Sequence, residues 1–297
     1  MSRPFNALPI DDLVHNACRG SAEPLRELLL RRGGLPGPRP NFKLAVSVAA
    51  ALVAQGQLGR KVIEEMRAIN DNDAPAGSAH PILPIVGILG LGCAAAKADN
   101  TAQRQQLLDT LQEHAEDSRR EIRDAVAVAL GIPLTERPTE TLEGLASWSD
   151  GYFHAELMLR AVSEPAVLQK LDDAHLPLSR IQEAFALAAD APRAHQRSQG
   201  YRALVRSMKG AIVALGKRFP HPVAQWIEEN AQVATKDLLE ALNESLDQLR
   251  SSGLRAGDAI AVHNALEAVI PPPRDPRWDV GTTRSRGKKA RKKGRGR

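Results

Sequence analysis

Asp117–Gly131, reading DSRREIRDAVAVALG, is the stretch on which the fold turns. Its last ten residues put Ile122, Ala125, Val126, Ala129 and Leu130 at i, i+3, i+4, i+7 and i+8, one apolar face of a helix. Arg119, Arg120, Arg123 and Asp124 fall mostly elsewhere on that helix. Gly131, with Pro133 close behind it, predicts that the helix stops there. A stripe of alanine, valine, isoleucine and leucine of this kind stays in a helix only if another helix covers it.

Composition extends that demand to the whole chain. Hydrophobic residues make up 43% of the 297 residues but aromatics only 3%, so the core is filled by small and branched aliphatic side chains that suit close helix–helix packing. Runs that alternate β-branched and polar residues are scarce, and an all-α fold follows. Cys18 and Cys93 stand far apart without a C-x-x-C or other ligand spacing, so they read as small core residues in a reducing compartment. MSRPFNALPIDDL opens the chain without the apolar run of a signal peptide. The longest apolar run, Ile82–Ala96, contains Pro84, Gly87, Gly90 and Gly92 and is shorter than the roughly 18–20 residues of a membrane-spanning helix. A soluble, cytoplasmic chain that makes no membrane contact is expected.

The remaining sequence reads as a succession of helices punctuated by turns. Glu23–Arg32 has Pro24 in its first turn and Gly33-Gly34 at its end. After the proline-rich linker Gly33–Asn41, Asn41 is placed to cap a helix over Phe42–Gln55. Arg60–Ile69, His80–Ala96, Thr101–His114, Thr139–Ser147 and Tyr152–Val162 follow. Leu178–Ala189, Arg197–Gly216, Val223–Val233, Lys236–Leu249 and Gly257–Val269 complete the series. Gly56, Gly92 and Gly131, each expected to end a helix, are spaced by 36 and 39 residues, and Gly131 to Gly216 is 85, near twice that interval.

Asp117, then Ile122-Arg123, then Ala129-Leu130-Gly131 resembles the second helix of a HEAT repeat, and Ala214-Leu215-Gly216 echoes its end. The spacing of the glycines is close to the roughly 40–47 residues of HEAT and armadillo units. The resemblance implies a right-handed α-solenoid of roughly five to seven degenerate helical hairpins over residues 1–270, in which each unit shelters the apolar face of the next. The aspartate and the Ile/Val-Arg pair are absent from most of the other units. A generic helical array is the competing architecture.

Few motifs carry chemistry. Gly90, Gly92 and Ala95 spell G-x-G-x-x-A, but the polar, helical stretch Ala102–Glu116 follows where a dinucleotide fingerprint needs a second strand ending in an acidic residue. No cofactor is implied. Asn70–Asp73 lacks the glycine and distal glutamate of a calcium loop. The eight histidines form no H-E-x-x-H and no His-Glu pair, which weakens any tie to HEAT-like hydroxylases such as deoxyhypusine hydroxylase. No metal site and no catalytic residue is nominated. Trp148-Ser149-Asp150-Gly151-Tyr152-Phe153 is the one aromatic-dense patch. Two readings of it stay open: Trp148 and Tyr152 as groove anchors, or rings that plug the junction between two helical units, the second being favoured. Arg119, Arg120 and Arg123, followed by Arg160, Arg202 and Arg206, are candidates to align along one binding face.

Charge is unevenly placed. Eleven of the 40 Lys and Arg but only two of the 35 Asp and Glu lie in residues 271–297. The chain's net +5 thus divides into +9 on this tail and −4 on residues 1–270. Pro271-Pro272-Pro273 marks the boundary. The basic residues Arg284, Arg286, Lys288, Lys289, Arg291, Lys292, Lys293, Arg295 and Arg297, set among glycine and serine, offer no side chain to a core and predict disorder. Densely spaced cations of this kind release counterions from nucleic acid and bind it without regard to sequence. The expectation is a non-catalytic scaffold that holds a protein partner on its helical surface, while the tail contacts nucleic acid or another polyanion. The alternative is a DNA-binding enzyme similar to the HEAT-like alkylpurine DNA glycosylases, for which Trp148, Asp150 and Trp226 are the nominees.

Overall fold

The computed structural model describes residues 9–269. All nine basic tail residues from Arg284 to Arg297, and with them the polyanion-binding expectation, lie outside the described residues. Those described form fifteen α-helices joined by turns and short 3₁₀ segments, with no strand among them. They are α1 (Ile10–Cys18), α2 (Glu23–Arg32), α3 (Phe42–Ala54), α4 (Gln57–Arg67), α5 (Ile82–Ala96) and α6 (Thr101–Gln112). α7 (Arg120–Glu136), α8 (Pro138–Gly144), α9 (Tyr152–Val162), α10 (Pro165–Leu168) and α11 (His175–Ala189) occupy the middle. α12 (Gln199–Arg218), α13 (Pro220–Asn230), α14 (Lys236–Ser251) and α15 (Ala256–Val269) complete the body.

Side chains set several helix starts. Asn41 Oδ1 accepts from the Leu44 N–H at 3.1 Å, and its Nδ2 donates to the Arg32 carbonyl at 3.1 Å, so one residue caps α3 and ties it to the end of α2. Asn100 and Ser198 cap α6 and α12 in the same way.

α5, α7, α9, α12 and α14 form a row in which each helix packs on the next. Further helices lie against that row: α6 touches α5 and α7, α11 touches α9 and α12, and α15 touches α13 and α14. The buried side chains run as one connected aliphatic core from Leu13 to Leu266. α5 is apolar on nearly all sides because α3, α4, α6 and α7 surround it. Its glycines are the points of closest approach. A Cβ on Gly87 would sit 2.4 Å from the Arg67 backbone nitrogen, and one on Gly92 would sit 2.3 Å from the Ala129 carbonyl oxygen. The G-x-G-x-x-A pattern therefore lies within a helix and serves helix packing, with no strand in front of it.

α7 departs from its expected end. It runs through Gly131 and Pro133 to Glu136. Pro133 has no N–H to give the Ala129 carbonyl four residues back. That carbonyl abuts Gly92 of α5, and α7 runs on through the proline without this hydrogen bond, with Pro133 and Leu134 themselves buried. Cys18 and Cys93 are free thiols, and burial pushes that of Cys93 up to about 11. Among the described residues no helix is long and apolar enough to cross a membrane.

Candidate anion-binding groove

Three polar stripes face one another where α7, α9 and α12 pack together. On α7 the apolar residues Ile122, Ala125, Val126 and Ala129 turn inward, which leaves Arg120, Arg123 and Asp124 on the outer side. On α9 the stripe is Phe153, Glu156 and Arg160 at helical spacing, continued by Ser163 at its C-cap. On α12, Tyr201, Leu204, Met208 and Ile212 are buried, so Arg202, Arg206, Ser207 and Gly210 line the opposite face. With Arg197 just ahead of α12 and Glu164 just past α9, these residues enclose a groove of about 920 Å³. Gly210, Ala203 and Ala214 keep the α12 wall low, and a Cβ on Gly210 would meet nothing within 4 Å.

Six arginines and three carboxylates line this groove, a formal +3 within a body whose net charge is −4. The three carboxylates engage arginines only in part. Arg160 lies 2.8 Å from Asp124 and 3.5 Å from Glu156, and Arg120 lies 3.6 Å from Asp124. The Arg123 guanidinium stacks 4.6 Å above the Phe153 ring and donates to the Asp117 carbonyl at 2.5 Å. Glu156 is buried at the floor, where it accepts from Ser207 Oγ at 3.1 Å. Burial pushes its carboxyl above the usual range, while Arg160 and Ser207 pull it back. The side chains of Arg197, Arg202 and Arg206 are exposed and make no ion pair or hydrogen bond among the described residues. Those three guanidiniums are free to meet a ligand.

The candidate residues separate into two groups. Arg120, Arg123, Arg160, Arg202 and Arg206 meet in the groove. Arg119 does not: it is 5% exposed, with Nε and Nη2 on Asp117 at 2.9 and 2.7 Å and Nη1 on the Ala74 carbonyl at 3.1 Å. It holds the start of α7 against the α4–α5 loop. Burial pushes the Asp117 carboxyl up, but hydrogen bonds and charge from Arg119 outweigh this and hold it below its ordinary range. Trp148 is fully buried, edge-on to His154, and Tyr152 is half-buried, edge-on to Tyr201 and His195. These rings fill helix junctions and do not line the groove.

Asp150 is exposed and pairs with His154 Nδ1 at 2.6 Å, while accepting from Gln112 at 2.9 Å. Trp226 is buried against Phe185 and donates to Gln182. Trp148, Asp150 and Trp226 are thus all outside the groove. Arg197 was absent from the sequence-derived candidates; Phe153 stood there only as part of the aromatic patch, and Glu156 not at all. The signal for the last two was present in the i, i+3, i+7 spacing of Phe153, Glu156 and Arg160. Comparison with protein-family models, curated proteins and solved structures returns no match for this chain.

Proposed function

We propose that this chain is a non-catalytic binding scaffold that holds an anionic partner in the α7–α9–α12 groove. The carrying observation is charge segregation. A body with a net −4 gathers six arginines at one groove and leaves three of them without a partner among the described residues. Exposed arginines without a partner among the described residues also stand elsewhere on the body, at Arg19, Arg39 and Arg60 for instance, so what marks this groove is that three of them line one concavity. Leaving several unpaired and close together raises self-repulsion, which a bound anion relieves.

The architecture supports the reading through its row of successively packed helices, α5, α7, α9, α12 and α14, with further helices packed against it. We read that row as a HEAT-like, right-handed α-solenoid, whose exposed helix faces form a continuous docking surface. The tail from Thr282 onward, with nine basic residues, adds electrostatic avidity for nucleic acid or another polyanion. The scaffold in this view joins a protein held by the groove to a polyanion held by the tail.

Titration with labelled polyglutamate and labelled oligothymidylate across a salt series tests both parts. Charge reversal at Arg202→Glu and Arg206→Glu is expected to weaken at least one probe by about tenfold or more, since each lost charged contact is worth about 1.5–3 kcal/mol. Removal of residues 282–297 is expected to flatten the salt dependence of the oligonucleotide. Affinities for both probes that ignore the Arg202/Arg206 reversal would remove the groove from the function.

A further inference from the structure

We infer that the occupant of the groove is a short, extended acidic peptide segment of a partner protein. This rests on the groove being an anion-binding surface and names the class of anion. The first argument is length. α12 lines the groove from Gln199 to Ala214, which at 1.5 Å per residue is about 22 Å. A strand rising about 3.3 Å per residue fits about seven residues into that span. The second is charge. A formal +3 from six arginines and three carboxylates matches a segment with three or four acidic side chains.

The third argument separates a peptide from a phosphodiester chain. The groove contains hydrogen-bond acceptors as well as arginines. Glu156 spends Oε1 on Ser207 and Arg160, which leaves Oε2 without a donor among the described residues. Glu164 stands exposed at the rim with no ion pair among them. A polypeptide brings one N–H per residue to such acceptors. The sugar–phosphate backbone of DNA brings none. Single-strand binding also relies on exposed rings for base stacking, and the one ring lining the groove, Phe153, is covered by Arg123. The basic residues lining the groove are all arginine, which suits bidentate grip on carboxylates, as it would on phosphates, so it is the acceptors and the covered ring that favour the peptide.

The test is fluorescence anisotropy on the full chain, with three probes: a labelled peptide of about seven residues carrying alternating glutamates, its analogue N-methylated along the backbone, and an oligothymidylate of equal charge. The peptide is expected to bind, and the Arg202→Gln/Arg206→Gln pair to weaken it about tenfold or more. N-methylation is expected to weaken it by a further tenfold or so, through the lost N–H donors. Equal affinity for the N-methylated analogue overturns the peptide assignment, because charge alone would then explain binding. Tighter binding of the oligothymidylate, lost in the same variant, also overturns it while leaving an anion-binding groove. Indifference of every probe to Arg202 and Arg206 overturns both. Both arginines are exposed, and far-UV circular dichroism melts confirm that the variant is folded. Arg197→Gln is a second variant with the same expected direction.

Discussion

Replacing Asp117 with alanine strands a buried guanidinium. Arg119, whose side chain is 6% exposed, loses both oxygens of its bidentate partner, and its own backbone N–H loses the acceptor at 2.8 Å. Breaking a buried ion pair from one side costs about 3–5 kcal/mol, because the surviving charge remains desolvated. Arg119→Met removes that charge as well. What is lost is the hydrogen bond to the Ala74 carbonyl, about 1 kcal/mol, while Asp117, 16% exposed, regains water. The double variant is therefore expected to be more stable than Asp117→Ala alone by about 2 kcal/mol. Urea denaturation followed by circular dichroism measures all four corners of this cycle. The pair also has a pH signature. The Asp117 carboxyl is held below its ordinary 3.8, so its contribution is full above that value and disappears as pH falls through the lower folded one. The gap between wild type and Asp117→Ala should thus close only in strong acid. An Asp117→Ala cost below about 1 kcal/mol, or no rescue by Arg119→Met, would refute the view of Arg119 as a buried brace.

Glycines of equal helical standing should respond in opposite ways. Gly92→Ala pushes a methyl into the Ala129 carbonyl at 2.3 Å and should lower the unfolding midpoint markedly, whereas a Cβ on Gly131 meets nothing within 4 Å, so Gly131→Ala should gain up to about 1 kcal/mol of helix propensity. Matched urea midpoints for the two would contradict the packing described. His114 is pushed below its ordinary 6.5 by burial and then by the Arg67 charge, so its neutral form is favoured in the folded chain. Its contribution is present above 6.5 and lost as pH falls through the depressed value, so between those two points His114→Gln should lose less stability than wild type on acidification. Parallel stability–pH curves for the two proteins would count against this. Gly210→Ala, with the same open space around its Cβ inside α12, should likewise gain up to about 1 kcal/mol while narrowing the groove, so any loss should appear in peptide affinity and not in urea midpoint.

How much was legible in the sequence depended on whether a property is local. Helicity is: the 3.6-residue spacing of Ile122, Ala125, Val126 and Ala129, the cap at Asn41, and the scarcity of aromatics all act within a few residues or by composition alone. The all-helical fold and most helix positions followed from them. The charge split between body and tail was legible too, since it needs only counting. The end of α7 was not, because the helix runs on through Pro133 with Pro133 and Leu134 buried in tertiary contacts that the local sequence does not display. Nor was the division among Arg119, Arg120 and Arg123. Three arginines within five residues look alike in sequence, yet one faces Ala74 across 45 positions while the other two face α9 and α12. Which face of a helix meets a neighbour and which meets solvent is decided by crossings between residues far apart in the chain. That is why the groove, assembled from α7, α9 and α12 together, exists only in the tertiary structure.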